Sequence, residues 1–170
     1  MASLYLHIPF CKSRCIYCDF YSGTDTSQRA SYVQALCDEL KLRSTYLSTR
    51  VLDSIYFGGG TPSLLQKEDF ERLFTEIHTH FTLLPSTEIT LECNPDDLTP
   101  SYVAQLQALP FNRISIGIQS FDDAELRFLN RRHTAQQAQD AVALCQAHGF
   151  DNISIDLMYG LPNQTPETWR

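Results

Sequence analysis

The feature that most constrains the fold is an alternation. Five short apolar stretches of strand character are separated by segments whose apolar residues recur at helical spacing. Residues 4–8 read as a first strand, ended by Pro9 and a cysteine-rich loop. Val33, Leu36, Cys37 and Leu40 then follow the i, i+3, i+4, i+7 spacing of an amphipathic helix. Residues 53–57 read as the second strand, closed by Gly58-Gly59-Gly60, and Phe70, Leu73, Phe74, Ile77 and Phe81 form the next helical stripe. A third strand over 88–92 precedes Thr99-Pro100, an N-cap with proline at the first helical position, and a helix carrying Val103, Leu106 and Leu109. Residues 113–118 are the fourth strand, after which Asp122 caps a short helix with Leu126 and Leu129. Thr134 and Gln137 match a capping box, with Ala138, Ala141, Val142 and Cys145 as the stripe behind it and Gly149 as its stop. Residues 152–157 are the fifth strand, and Thr165-Pro166 opens one more helix.

Strands alternating with helices imply parallel β/α units. Five such units read as a partial (β/α) barrel, with a doubly wound sheet as the rival. The 170 residues amount to about one domain at ~150 residues per domain. The chain stops five residues after Thr165, just inside a helix signal, which reads as the N-terminal part of a longer protein. Cutting a barrel exposes an edge strand, so the piece alone is expected to aggregate. No apolar run approaches the ~20 residues of a membrane span, and no signal peptide is visible, so a cytoplasmic location is expected. Thirteen Lys and Arg against twenty Asp and Glu leave a net charge of −7, which argues against a basic stripe tracking phosphates and hence against a nucleic-acid partner.

Six cysteines are present. Without a secretory signal, metal binding or reduced thiols are preferred over disulfides. Cys37, Cys93 and Cys145 lie in or beside apolar segments and read as small buried hydrophobes. Cys11, Cys15 and Cys18 crowd into a C-x3-C-x2-C loop directly after the first strand. Three thiolates so close can grip one inorganic centre. Iron–sulfur cubes usually take four cysteines, so three would leave one iron open. Tetrahedral zinc would need His7 or Asp19 as a fourth ligand. A loop without metal is the third reading.

Four further features follow the other strands. Gly58-Gly59-Gly60-Thr61 lets a ligand approach the backbone closely, or is a flexible turn. Glu92 ends the third strand and leads into Cys93-Asn94-Pro95; Gln119 follows the fourth. Asp156 lies inside the apolar fifth strand, where a buried acid needs a partner. In a barrel these carboxyl ends share one rim, the place of active sites. His7 stands close enough to contact that rim. His78, His80, His133 and His148 read as surface or helix-end residues, and Trp169 as core.

These motifs together resemble the radical S-adenosylmethionine (SAM) superfamily. Within it the chain is similar to the oxygen-independent coproporphyrinogen III oxidase-like family, in particular its HemW-type haem-chaperone branch. The resemblance rests on residues 4–10 leading into the three cysteines, residues 56–62, Glu92-Cys93-Asn94-Pro95, residues 115–121, Leu129-Asn130-Arg131 and residues 156–162. It implies an α/β partial (β/α) barrel of the radical SAM type, with residues 1–170 as its core domain and the C-terminal domain absent. It implies a [4Fe–4S] cluster on Cys11, Cys15 and Cys18, with the amino and carboxylate groups of SAM on the fourth iron. Tyr5 and Tyr17 would stand beside them. Gly59, Gly60 and Thr61 would hold the methionine part of SAM, and Glu92, Gln119, Arg131 and Asp156 would complete the pocket. Arg131 would face a carboxylate, which its fork fits, and the acids would accept from ribose hydroxyls.

Porphyrinogen-decarboxylating members carry a further cysteine two residues after the third; here that residue is Phe20. The resemblance therefore implies a protein that binds and passes on haem. The alternatives are a radical SAM enzyme acting on a tetrapyrrole, such as coproporphyrinogen III oxidase, and a zinc-bound structural module. Implied partners are SAM, haem or another tetrapyrrole, a reductant protein and a haem-acceptor protein, with peripheral contact to a membrane-bound acceptor. No haem residue is implied within this stretch.

Overall fold

The computed structural model describes residues 2–169. Five strands form one sheet: β1 (Ser3–Ile8), β2 (Val51–Gly59), β3 (Thr82–Cys93), β4 (Arg113–Gln119) and β5 (Ile153–Leu157). All neighbours are parallel and the order is β1-β2-β3-β4-β5. Between them lie α1 (Arg29–Leu42), α2 (Lys67–His80), α3 (Pro100–Leu106), α4 (Asp123–Phe128) and α5 (Ala135–Ala147), with α6 (Pro166–Trp169) after β5. Right-handed crossovers in sequential strand order place every helix on the same side of the sheet. A doubly wound sheet would reverse its order at a switch point; among the described residues no reversal occurs, so the partial barrel holds.

The core lies between the sheet's outer face and the helices. Leu6, Ile8, Ile55, Phe57, Ile89, Leu91, Ile114, Ile116 and Ile118 are buried there against Val33, Leu73, Ile77, Val103 and Ala138. Phe111, in the turn before β4, completes an aromatic cluster with Phe57, Phe70 and Phe74 at ring-centroid distances of 5.1–5.4 Å. Such tilted pairs add about 0.5–1.5 kcal/mol each beyond their burial. The inner face is polar. Arg113 donates to Thr90 Oγ1 (3.3 Å) and Ser154 Oγ (2.9 Å), and Ser154 donates to Ser115 Oγ (3.0 Å).

The sequence-read caps hold. Thr99 accepts from the Tyr102 N–H, Asp122 from Ala124 and Glu125, and Thr134 forms its capping box with Gln137. Two register breaks were not expected. Leu52 pairs with Leu83 but Ser54 with Glu88, so 84–87 bulge from β3, and the Thr87 hydroxyl fills the gap by donating to Leu52 O at 2.8 Å. In β4, Gly117 pairs with Asp156 but Gln119 with Leu157, leaving Ile118 as a bulge.

Three expectations are corrected. His133 is not a surface residue: it is 3 % exposed, with Nε2 donating to Ile118 O at 3.0 Å. Asp156 is exposed rather than buried, since β5 has a neighbour on one side only among the described residues. Trp169 is half exposed and packs only its edge on Tyr159. Among the described residues no helix is long and apolar enough to cross a membrane.

Candidate functional site

The carboxyl ends of the strands surround one cleft. Its lining includes Cys11, Cys15, Tyr17, Cys18, Gly59, Gly60, Thr61, Glu92, Asn94, Gln119, Arg131 and Asp156. Eleven of the twelve site residues expected from sequence thus meet there. The twelfth, Tyr5, flanks the cleft: it stacks on Tyr56 and its hydroxyl meets His7 Nδ1 at 3.1 Å.

The cysteine loop is shaped at both ends. At its base the Cys11 N–H donates to Gly23 O (2.9 Å) and the Gly23 N–H to Pro9 O (2.8 Å), closing residues 10–23 into a loop. At its tip the Ile16 N–H donates to Leu129 O (3.3 Å), and Asn130 Nδ2 donates to Arg14 O (2.7 Å). The α4–α5 link therefore holds the tip. Cys11 is buried, whereas Cys15 and Cys18 are partly open. Among the described residues no three His, Cys, Asp or Glu side chains converge on a point suited to a single ion.

The glycine run is packed, not slack. A β-carbon on Gly60 would lie 2.8 Å from Phe10 O, 2.9 Å from Ile8 O and 3.1 Å from Cys11 Sγ. Gly59 has φ +111°, and a β-carbon there would lie 2.6 Å from the His7 ring. Strand end and cysteine loop thus touch with no room for a side chain between them. Thr61 places its hydroxyl 3.6 Å from Cys11 Sγ and receives Asn94 Nδ2 at 3.2 Å.

Arg131 is the hub of the opposite wall. Nη1 lies 3.3 Å from Cys15 Sγ and 3.5 Å from the Tyr17 hydroxyl, and Nη2 donates to Asn94 Oδ1 (2.6 Å) and Gly117 O (2.5 Å). Its buried Nε has no partner. Burial pushes the Tyr17 hydroxyl up, against the opposing pull of Arg131. Glu92 receives the Tyr56 hydroxyl (2.7 Å) and the Gly59 N–H (3.1 Å). Burial raises its carboxyl above the usual carboxylate range even though both hydrogen bonds pull the other way. Gln119 has φ +73°, a left-handed conformation set by the Ile118 bulge and held by the Met158 N–H donating to Gln119 O at 2.9 Å. Bulges beside active sites re-aim side chains in this way.

His7 does not line the cleft; its nitrogens are taken by Tyr5 and by Tyr21 O. Asn94 joins Thr61 to Arg131, a role the sequence signalled only by its place on the rim. Asp97 was missed altogether. Three thiols lining one cleft, a glycine cradle against Cys11 and an arginine with an orphaned buried donor fit an iron–sulfur cluster carrying an amino-acid-like ligand.

The chain belongs to the radical SAM superfamily, whose family model matches residues 5–170. It is 42% identical over 166 residues to the heme chaperone HemW of Lactococcus lactis, covering 97% of this chain and 43% of the relative. Against HemW of Escherichia coli the figures are 38% over 167 residues, 97% and 44%. The oxygen-independent coproporphyrinogen III oxidase of Bradyrhizobium diazoefficiens is 38% identical over 169 residues, covering 96% of this chain and 37% of the relative. Among solved structures, coproporphyrinogen III oxidase (HemN) of E. coli, a radical SAM enzyme, matches with a TM-score of 0.89 and 32% identity, over 99% of this chain and 39% of that one. The chain thus spans less than half the length of these relatives.

Proposed function

We propose that residues 1–170 are the cofactor-binding core of a radical SAM haem chaperone. The observation that carries this reading is the convergence of Cys11, Cys15 and Cys18 with Gly60, Thr61 and Arg131 on one cleft. Cys11, Cys15 and Cys18 hold a [4Fe–4S] cluster. When bound, the cluster and SAM supply one-electron cleavage of the sulfonium to a 5′-deoxyadenosyl radical. Arg131 would offset the negative charge of Cys15, and its guanidinium would face the carboxylate of SAM. Gly59 and Gly60 let the methionine part approach the backbone, and the Thr61 hydroxyl, steadied by Asn94, bonds it. Glu92 and Asp156 accept from ribose hydroxyls, Gln119 closes the rim above Gly117, and Tyr5 and Tyr17 flank the pocket.

The choice of chaperone over oxidase rests on Phe20, which stands where decarboxylating relatives carry a further cysteine, and on the HemW names of the relatives. Haem or a related tetrapyrrole, a reductant protein and a haem acceptor are then its partners. The protein works in the cytoplasm, in peripheral contact with a membrane-bound acceptor. The oxidase-named relatives and the HemN likeness support the second reading, a tetrapyrrole-decarboxylating enzyme.

The test uses full-length protein reconstituted without oxygen. About four irons per chain, an EPR signal perturbed by SAM, haem binding on titration and no decarboxylation of coproporphyrinogen III are expected. Vinyl product would overturn the chaperone in favour of the oxidase. One zinc without iron or sulfide would overturn both.

A further inference from the structure

We infer that Asp97 is a positioning residue that seats the cysteine loop, and this inference rests on the cofactor reading above. Asp97 lies in the 3₁₀ turn Pro95–Asp97 after β3, and its side chain is only 3 % exposed. Lys12 Nζ lies 2.5 Å from its Oδ1, with Arg132 Nη2 at 3.5 Å from the same oxygen. Its Oδ2 accepts from Ser63 Oγ at 2.8 Å.

Each partner comes from a different loop, and each is a near neighbour of a site residue. Lys12 follows Cys11, Ser63 stands two residues after Thr61, Arg132 follows Arg131, and Asn94 precedes Asp97 by three. One carboxylate therefore ties the loops after β1, β2 and β3 to the α4–α5 link. None of the three bonds reaches the cleft's ligand space through Asp97 itself, so its action on the site runs through its partners. Asp96 holds Arg132 from the outside. Neutralising Asp97 leaves two cations facing each other across a buried amide, and breaking a buried charge network by removing one partner is strongly unfavourable. The strain falls first on Lys12, the more exposed of the two cations and the one Asp96 does not also hold, and Lys12 pulls Cys11 with it.

The deciding measurement needs no cofactor. In reduced, metal-free full-length protein, Asp97→Asn is expected to speed alkylation of Cys11 by iodoacetamide at least tenfold, with Cys145 unchanged. Cys145 is buried in α5, with burial pushing its thiol up to about 11, and reports global opening. Equal acceleration at both thiols would make Asp97 a general stability residue and overturn the inference; so would no acceleration. If Asp97→Asn does not fold, Ser63→Ala removes one bond and leaves the charge. It is expected to speed Cys11 alone several-fold, and an unchanged rate there overturns the inference. Iron uptake by the wild-type protein tests the cofactor reading separately, so the two can fail independently.

Discussion

Arg131 and Cys15 stand 116 positions apart in the chain, yet the arginine's Nη1 lies 3.3 Å from the cysteine's sulfur. The same guanidinium reaches the backbone of β4 and the Asn94 amide. One side chain thus joins the cysteine loop to the third and fourth strand ends.

Arg131→Lys keeps the charge and loses the fork, so it cannot reach Cys15, Asn94 and Gly117 together. Charge-assisted bonds contribute about 1.5–3 kcal/mol each. We expect iron content to persist, SAM affinity to fall roughly ten- to a hundredfold, and the reduced-state EPR signal to change even without SAM. Titration calorimetry and EPR check this.

Cys15→Ala should abolish iron binding, and Cys145→Ala should leave it intact. Cys145 is buried among Ala138, Ala141 and Val142 in the core and does not line the cleft. Iron and sulfide analysis of the two variants separates the roles; equal loss in both would refute the division.

Gly60→Ala drives a methyl group into Phe10 O and Ile8 O, backbone atoms that cannot swing aside. A stability loss of about 1–3 kcal/mol and impaired cluster uptake are expected. Gly149→Ala has open space but φ +82°. It should lose about 1–2 kcal/mol with uptake unaffected. Denaturant melts paired with iron analysis distinguish steric clash at the site from plain backbone strain.

Gln119 keeps a left-handed backbone that disfavours every residue with a side chain. Gln119→Gly should stabilise the fold by up to about 1 kcal/mol while SAM affinity falls at least tenfold. Gln119→Ala should lose the affinity without the stabilisation. A gain in stability from both variants would count against stored strain.

His133 contributes to the pH dependence. Burial, then repulsion from Arg131, holds its imidazole below the usual 6.5, with the bond to Ile118 O opposing. Nε2 donates that bond, so a second proton must go on buried Nδ1, which has no partner. The folded chain resists a proton that the unfolded chain accepts. This contribution to stability is complete above about 6.5 and is lost as pH falls from there through the folded value. Denaturation midpoints at pH 7.5 and 5.5 should differ, and His133→Gln should flatten the difference.

The alternating periods disclosed the fold because each β/α unit buries its own stripe. Thr99, Asp122 and Thr134 marked helix starts correctly because caps are local chemistry. The rim residues were legible because strand ends in sequential order face one way. What escaped depends on distant neighbours. The bulges at 84–87 and Ile118 are settled by the partner strand, and nothing local in Gln119 announces its φ. His133 read as a surface or helix-end residue, and its burial depends on Ile118 of β4, fifteen positions away. Asp97 carries no local signal, because its partners Lys12 and Arg132 lie 85 and 35 positions away. Asp156 misled in the other direction: its apolar strand suggested burial, yet β5 has a neighbour on one side only among the described residues and leaves the side chain exposed.

The tip of the cysteine loop rests on Leu129 and Asn130, while the loop itself lies near the start of the chain. At ribosomal speeds of ~5–20 residues per second, the 116 residues between Arg14 and Asn130 take roughly 6–23 s to make. Until those residues are made, the three thiols lack the clasp that orders them. The nascent chain thus presents its three thiols long before the residues that clasp their loop.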